Sequence, residues 1–465
     1  MDYVPYLAGW DSPKQMVREE CVPLKQEGRD AVWVDNLTAS IDFDQASSEE
    51  MADLWFRLQG APMQADFAFV EPSELESIQA QRGDAQRKWP LEQSREKLLD
   101  RMHGAWLGRC CGCALGKPIE CFMAPHNGLT SRERIRFYLE AAGAYPLSGY
   151  IPGSSPAQDK TGRVQHPASQ RENIAFMETD DDIRYTVLGQ KILLEHGAAF
   201  DSKDIMKMWY DELPYRLVCT AETQAYRNHA MRYQLHHGEP GSVDWLWVAS
   251  HQNPYREWIG AQIRADSWGY AAPGNPELAA VFAWRDGRMT HVKNGLYGEM
   301  FVAAMIAAGF ALDDPLAVVN AGLAEIPRRS RLHGEMLEVV EICRRHNNSF
   351  ANFEKVLHEI ERLFGHYHPV HTNNNAALVV TALLLGGNDF EKVVTLSVIG
   401  GWDTDCNGAT AGSIFGAMHG ATRIPDNWKT PLHDTLYSRV FDYHPIAISE
   451  CARRSLQIAD AIRGR

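Results

Sequence analysis

The chain has 465 residues, enough for two or three domains or one large decorated one, and enough to bury a large core without staples. Its formal net charge of −14 argues against non-specific binding to nucleic acid or to an anionic membrane face. No apolar run of about 18 residues could span a bilayer. The start, Met1 to Pro5, has no secretory pattern, and nine cysteines, an odd number, read as free thiols of a reducing, cytoplasmic compartment.

Residues 1–94 read as a mostly helical extension without recognisable chemistry. Helix starts are expected at Ser47-Ser48-Glu49-Glu50 and at Ser73-Glu74-Leu75, and the polar stretch from Gln79 to Pro90 reads as a linker. From Ser94 the pattern turns helical: Leu99, Met102, Trp106, Cys110 and Cys113 step by three and four. Gly116 and Pro118 stop that helix, which leaves Glu120 just beyond its end. Cys110, Cys111, Cys113 and Cys121 cluster without paired C-x-x-C spacing, so they read as core thiols rather than zinc ligands. Residues 122–172 form an insertion, with a short helix near Arg132 to Ala142 and a long irregular loop after it.

Two acidic helix starts follow. At Thr179-Asp180-Asp181-Asp182 a capping-box pattern is loaded with carboxylates. At Asp403-Thr404-Asp405-Cys406 two more lie two residues apart, after Gly400-Gly401-Trp402. Either could be an acidic turn capping a packed helix. Together they offer hard oxygen ligands for one or two hard cations, Mg²⁺ or Mn²⁺ rather than zinc. Gly408, Gly412, Gly416 and Gly420 then recur at every fourth position. Each costs about 1 kcal/mol of helix propensity against Ala, so that face is expected to meet another backbone very closely.

Between the two starts the pattern is almost wholly helical. The segment 253–270 differs: it is aromatic and carries Arg256 and Arg264. It reads either as a pocket wall, with rings for a base and Arg or backbone N–H for phosphate, or as a packed loop. His291 alone reads as structural. His366, His368 and His371 fit no strong zinc pattern and read as a polar, substrate-facing loop before an apolar helix. No P-loop and no G-x-G-x-x-G after a strand is present.

These elements, in this order, resemble the ADP-ribosylglycohydrolase family over residues 95–425. Gly112 to Glu120 is similar to that family's Gly-Asp-Ala-x-Gly-x-Pro-x-Glu element. Thr179-Asp180-Asp181 is similar to its Thr-Asp-Asp element, and Gly260-Ala261-Gln262-Ile263-Arg264 to the element used around ADP-ribose phosphates. Thr290-His291 resembles its histidine before a helix, and Gly401 to Gly420 its Asp-Thr-Asp-Thr element with a small-residue helix.

The resemblance implies an all-α fold, with residues 95–465 as the catalytic domain around a dinuclear Mg²⁺ (or Mn²⁺) cleft. It implies Thr179, Asp180, Asp181, Asp403, Asp405 and the position of Cys406 as metal ligands. Glu120, Asp181 and Asp405 would be catalytic, and Gly260, Ala261, Arg264, His291 and Trp402 would bind substrate. The expected activity is Mg²⁺-dependent hydrolysis of a ribosyl glycosidic bond, by removal of ADP-ribose from an acceptor or small molecule, with no nucleic-acid or membrane partner. Two alternatives are hydrolysis of nucleosides or other small ribose glycosides, and an inactive ADP-ribose-binding or structural member. This chain departs from the family pattern at Cys113 (usually Asp), Asp182 (usually Thr) and Cys406 (usually Thr). A thiol is a poor Mg²⁺ ligand.

Overall fold

The computed structural model describes residue 10 and residues 12–234 and 242–464. They are mainly helical, and the only sheet among them is a two-stranded ribbon pairing Thr435–Leu436 with Ile446–Ala447. Among the described residues no helix is long and apolar enough to cross a membrane, and none of the cysteines forms a disulfide.

The first three helices are α1 (Pro13–Gln26), α2 (Ala31–Thr38) and α3 (Ser48–Gln59). They close on a small apolar cluster of their own, built from Val17, Leu24, Val34, Leu54, Trp55 and Leu58. The expected start of α3 is a full capping box, with Ser47 and Glu50 exchanging hydrogen bonds. The expected linker is instead tied down along its length. Arg82 pairs with Glu277 and with buried Glu325, Arg87 also reaches Glu325, and Trp89 N donates to Gly274 O at 2.8 Å. Polar side chains in that stretch read as solvated only because their partners lie some two hundred residues away.

The main body is arranged around two helices, α4 (Arg95–Gly116) and, late in the chain, α9 (Thr404–His419). Between them in sequence come α5 (Ser131–Ala141), α6 (Asp181–His196), α7 (Lys293–Gly309) and α8 (Thr372–Gly386). The last, α10 (Ile448–Ile462), covers α4, and its Ser455 Oγ accepts from Trp106 Nε1 at 2.9 Å. Helices α7 and α8 are apolar and buried on nearly every side.

The close backbone approach expected of the glycine face of α9 is present. Its partner is a second glycine row on α4, Gly104, Gly108, Gly112 and Gly116, and the two rows run antiparallel. A Cβ on Gly112 would stand 1.9 Å from Gly408 O, one on Gly108 2.1 Å from Gly412 O, and one on Gly116 2.2 Å from Thr404 O. No side chain fits that seam. The several kcal/mol of propensity given up by these glycines are offset by close backbone packing along the shared length of the two helices.

Candidate metal centre

At one end of the seam α4, α6 and α9 meet. The glycine face of α4 lies on α9, and the adjoining face, Arg109 and Cys113 at i, i+4 with Lys117 four residues on, points at the start of α6. Arg109, fully buried, donates to Asp182 O (2.8 Å), Asp182 Oδ1 (3.2 Å) and Ile263 O (2.6 Å), and pairs with Asp266 at 2.7 Å. Lys117 Nζ donates to Thr179 O at 3.0 Å and to the Asp180 carboxylate. The cap of α6 differs from the expected Thr179–Asp182 box. Asp180 is the N-cap and accepts from Asp182 N at 3.0 Å, which leaves Thr179 Oγ1 free to accept from Arg184 at 3.1 Å.

The second acidic start is placed from two sides. Gly401 has φ 89°, and a Cβ there would meet Ser131 Oγ at 2.7 Å, so glycine is required. Trp402 also has a positive φ, 58°, and its N–H donates to Ser131 Oγ of the insertion at 2.9 Å. Asn375 Oδ1, on the first turn of α8, accepts from Asp403 N (3.1 Å) and Asn407 Nδ2 (2.8 Å). Thr404 Oγ1 donates to Gly116 O at 2.8 Å, locking the turn onto the end of α4.

The result is two adjoining groups of ligand atoms that share Asp405. Cys113, Asp180, Asp182 and Asp405 form one, and Asp403, Asp405 and Cys406 the other; within each, the atoms lie within 4.8 Å of one another. All six residues are buried. Glu120, Thr179 and Asp181 are only half-buried, so the centre opens on their side. Cys406 Sγ donates to Asp182 Oδ2 at 3.2 Å.

The charges do not balance. Burial pushes Asp180 up, but the Lys117 ammonium outweighs it and holds the carboxyl at about 2. Burial, with the charge of Asp180, pushes Asp405 up to about 7. The negative charge of Asp405 and then burial raise Glu120 well above the usual carboxylate range. Burial and neighbouring carboxylates likewise raise Asp181, Asp403 and, against the pull of Arg109, Asp182. Asp405 Oδ1 is buried and has no hydrogen-bond partner. A buried, unpartnered carboxylate oxygen facing other carboxylates is a fit for divalent cations, whose charge would settle the excess.

The remaining sequence candidates lie on the 253–291 wall. Arg264 is 2% exposed and fully engaged: Nε donates to Asp286 at 2.9 Å, Nη1 to Glu222 and Nη2 to Thr290 Oγ1 at 2.9 Å, with Glu299 at 3.8 Å. His291 is fully buried, with Nδ1 2.7 Å from Thr290 Oγ1. Gly260 is half-buried against the Glu222 carboxylate, and Ala261 is buried. Arg256 is taken by Glu20 (2.6 Å) and Glu27 (2.8 Å) of the extension. Of the three loop histidines, His371 is buried as the N-cap of α8, and His368 stacks on Trp258. Four residues stand outside the sequence-derived site: Arg109, Lys117, Asp182 and Cys113 in this ligating role. The signal for Arg109, Cys113 and Lys117 was their spacing, which puts all three on one helical face; that for Asp182 was its place in the acidic start of α6.

The model of the ADP-ribosylglycohydrolase family matches residues 94–460. This chain belongs to that family. Membership supports a hydrolase acting on ADP-ribose glycosidic bonds. A solved structure described as an ADP-ribosylglycohydrolase-related protein complex is similar at 22% identity over 79% of this chain and 99% of that one, with a TM-score of 0.47. No curated protein matches the chain.

Proposed function

We propose that this protein is a divalent-cation-dependent hydrolase that cleaves the bond between the anomeric carbon of an ADP-ribosyl group and its acceptor. One observation carries the reading: a single buried carboxylate, Asp405, is shared by two ligand groups and keeps one oxygen unpartnered among further carboxylates. Thr179, Asp180, Asp181, Asp403, Asp405 and Cys406 would hold the cations, joined by Asp182 and Cys113. Bound there, they supply charge that orients the ribose hydroxyls and acidifies a water.

The chain's own groups do the rest. Glu120 stands half-buried at the open side, where it would accept the proton of the attacking water. Asp181, half-buried beside it, faces the positive charge that grows on the ribose ring during cleavage. Lys117 and Arg109 fix Asp180 and Asp182, so the ligand geometry exists before substrate arrives. Gly260, half-buried, and Trp402 would contact the substrate, and Ala261, fully buried, would support Gly260 from behind. Arg264 and His291 act from behind as positioning residues, since their polar atoms face protein.

The test is product release from ADP-ribosyl arginine, ADP-ribosyl serine, O-acetyl-ADP-ribose and nucleosides, with added Mg²⁺ or Mn²⁺ and with chelator. Cation-dependent release of ADP-ribose, lost in Asp405→Ala and Glu120→Gln but with cation binding kept in the latter, is the expected result. Release of ribose from nucleosides alone would replace this reading.

A further inference from the structure

The two thiols of the centre mark where this chain leaves the hard-ligand pattern. Cys113 comes from the last turn of α4 and Cys406 from the first turn of α9. They lie in different ligand groups, which share Asp405. Both are buried in the main core, yet core packing alone does not explain them. Both sulfurs face carboxylates: Cys113 those of Asp180, Asp182 and Asp405, and Cys406 those of Asp182, Asp403 and Asp405. An apolar residue there would leave the carboxylates worse solvated, and a serine would serve a hard cation better. An independent observation pointing to a ligand is the buried, unpartnered Oδ1 of Asp405, the residue both groups share.

Resting on the proposal that this centre holds divalent cations, we infer that Cys113 and Cys406 each ligate one of them, so that the centre selects Mn²⁺, Fe²⁺, Co²⁺ or Zn²⁺ over Mg²⁺. Sulfur donors favour the borderline and softer ions of the first transition row, whereas Mg²⁺ keeps to oxygen. On loading, each S–H bond breaks with its electron pair left on sulfur. The proton leaves to buffer and a sulfur–metal bond forms, with no change of oxidation state. The seam makes this demanding ligation practical. Cys113 sits beside Gly112 and Cys406 two residues from Gly408, and these glycines pack backbone to backbone, so the two sulfurs are carried by one rigid unit.

The experiment uses the full chain, stripped with chelator and titrated with Co²⁺ while its ultraviolet spectrum is recorded. The expected result is a sulfur-to-cobalt charge-transfer band that weakens in Cys113→Ser and in Cys406→Ser and vanishes in the double variant. Co²⁺ affinity of the double variant should fall by at least about tenfold, with Mg²⁺ affinity retained. Should a variant fail to fold by circular dichroism, X-ray absorption on the wild-type cobalt protein still decides, through a sulfur shell at about 2.3 Å. Cobalt bound without band or sulfur shell, or a band undiminished in a folded double variant, overturns thiol ligation and leaves the hydrolase reading standing. No cobalt bound to the folded chain overturns both.

Discussion

Two knots of buried carboxylates lie inside this protein, and they are solved differently. Around Arg264, the side chains of Glu222, Asp286 and Glu299 converge on one guanidinium, and Trp268 Nε1 donates to Glu299 at 2.9 Å. At the junction of α4, α6 and α9, Lys117 answers Asp180 and Arg109 answers Asp182, but Asp181, Asp403, Asp405 and Glu120 have no ion pair among the described residues. The same functional groups are closed by protein in one place and left without ion partners in the other. A buried anion cluster whose members all meet a cation is architecture; one whose members include unpaired carboxylates is a candidate site for added positive charge.

Substitutions sharpen that contrast. The largest effect is expected for Asp405→Asn: turnover with saturating divalent cation should fall about a thousandfold or more, over 4 kcal/mol of barrier. The cation-free variant should melt at a higher temperature than the cation-free wild type, because an uncompensated buried charge has been removed. Calorimetry with and without chelator checks both halves, and a lower melting temperature would break the comparison. Arg264→Met should do the opposite. It strands three buried carboxylates and should cost about 3–5 kcal/mol of stability in denaturant titrations, whatever the cation content.

The third effect is a pH dependence. Burial, against the pull of Arg264, raises Glu222 to about 7 from an ordinary 4.5. The fold therefore favours its protonated form, and stability is lost as pH rises through that window, by up to about 3 kcal/mol. Glu222→Gln should flatten this slope, read as unfolding midpoints at pH 5 and pH 8. The smallest is Gly412→Ala. A methyl 2.1 Å from Gly108 O forces the seam apart, at roughly 1–3 kcal/mol. It should also weaken cation binding, because Cys113 and Asp405 sit on opposite helices.

Much of the centre was legible because its residues are local in sequence. Thr179 to Asp182 and Asp403 to Cys406 are short motifs at helix starts, and the glycine period of α9 announced a close partner before that partner was known. The partner, Gly104 to Gly116, shows the same period of four, yet it was hidden by a stronger apolar rhythm on the same helix. What stayed illegible is long-range pairing. Nothing near Arg256 predicts that Glu20 and Glu27 will claim it, and nothing near Arg264 predicts Glu222, Asp286 and Glu299. An arginine amid aromatic residues reads as anion-binding until its distant carboxylates are located. The polar stretch around Arg82 failed as a linker for the same reason.

The seam also sets a timetable. Thr404 and Gly116, which touch at the edge of the centre, are 288 residues apart in the chain. A ribosome releases the α4 half early, its glycine row bare, and must make nearly the whole protein before the matching row arrives. Until then the nascent chain has neither the groove nor the shared aspartate that completes the cluster. The complete carboxylate cluster is thus among the last features this polypeptide acquires during its synthesis.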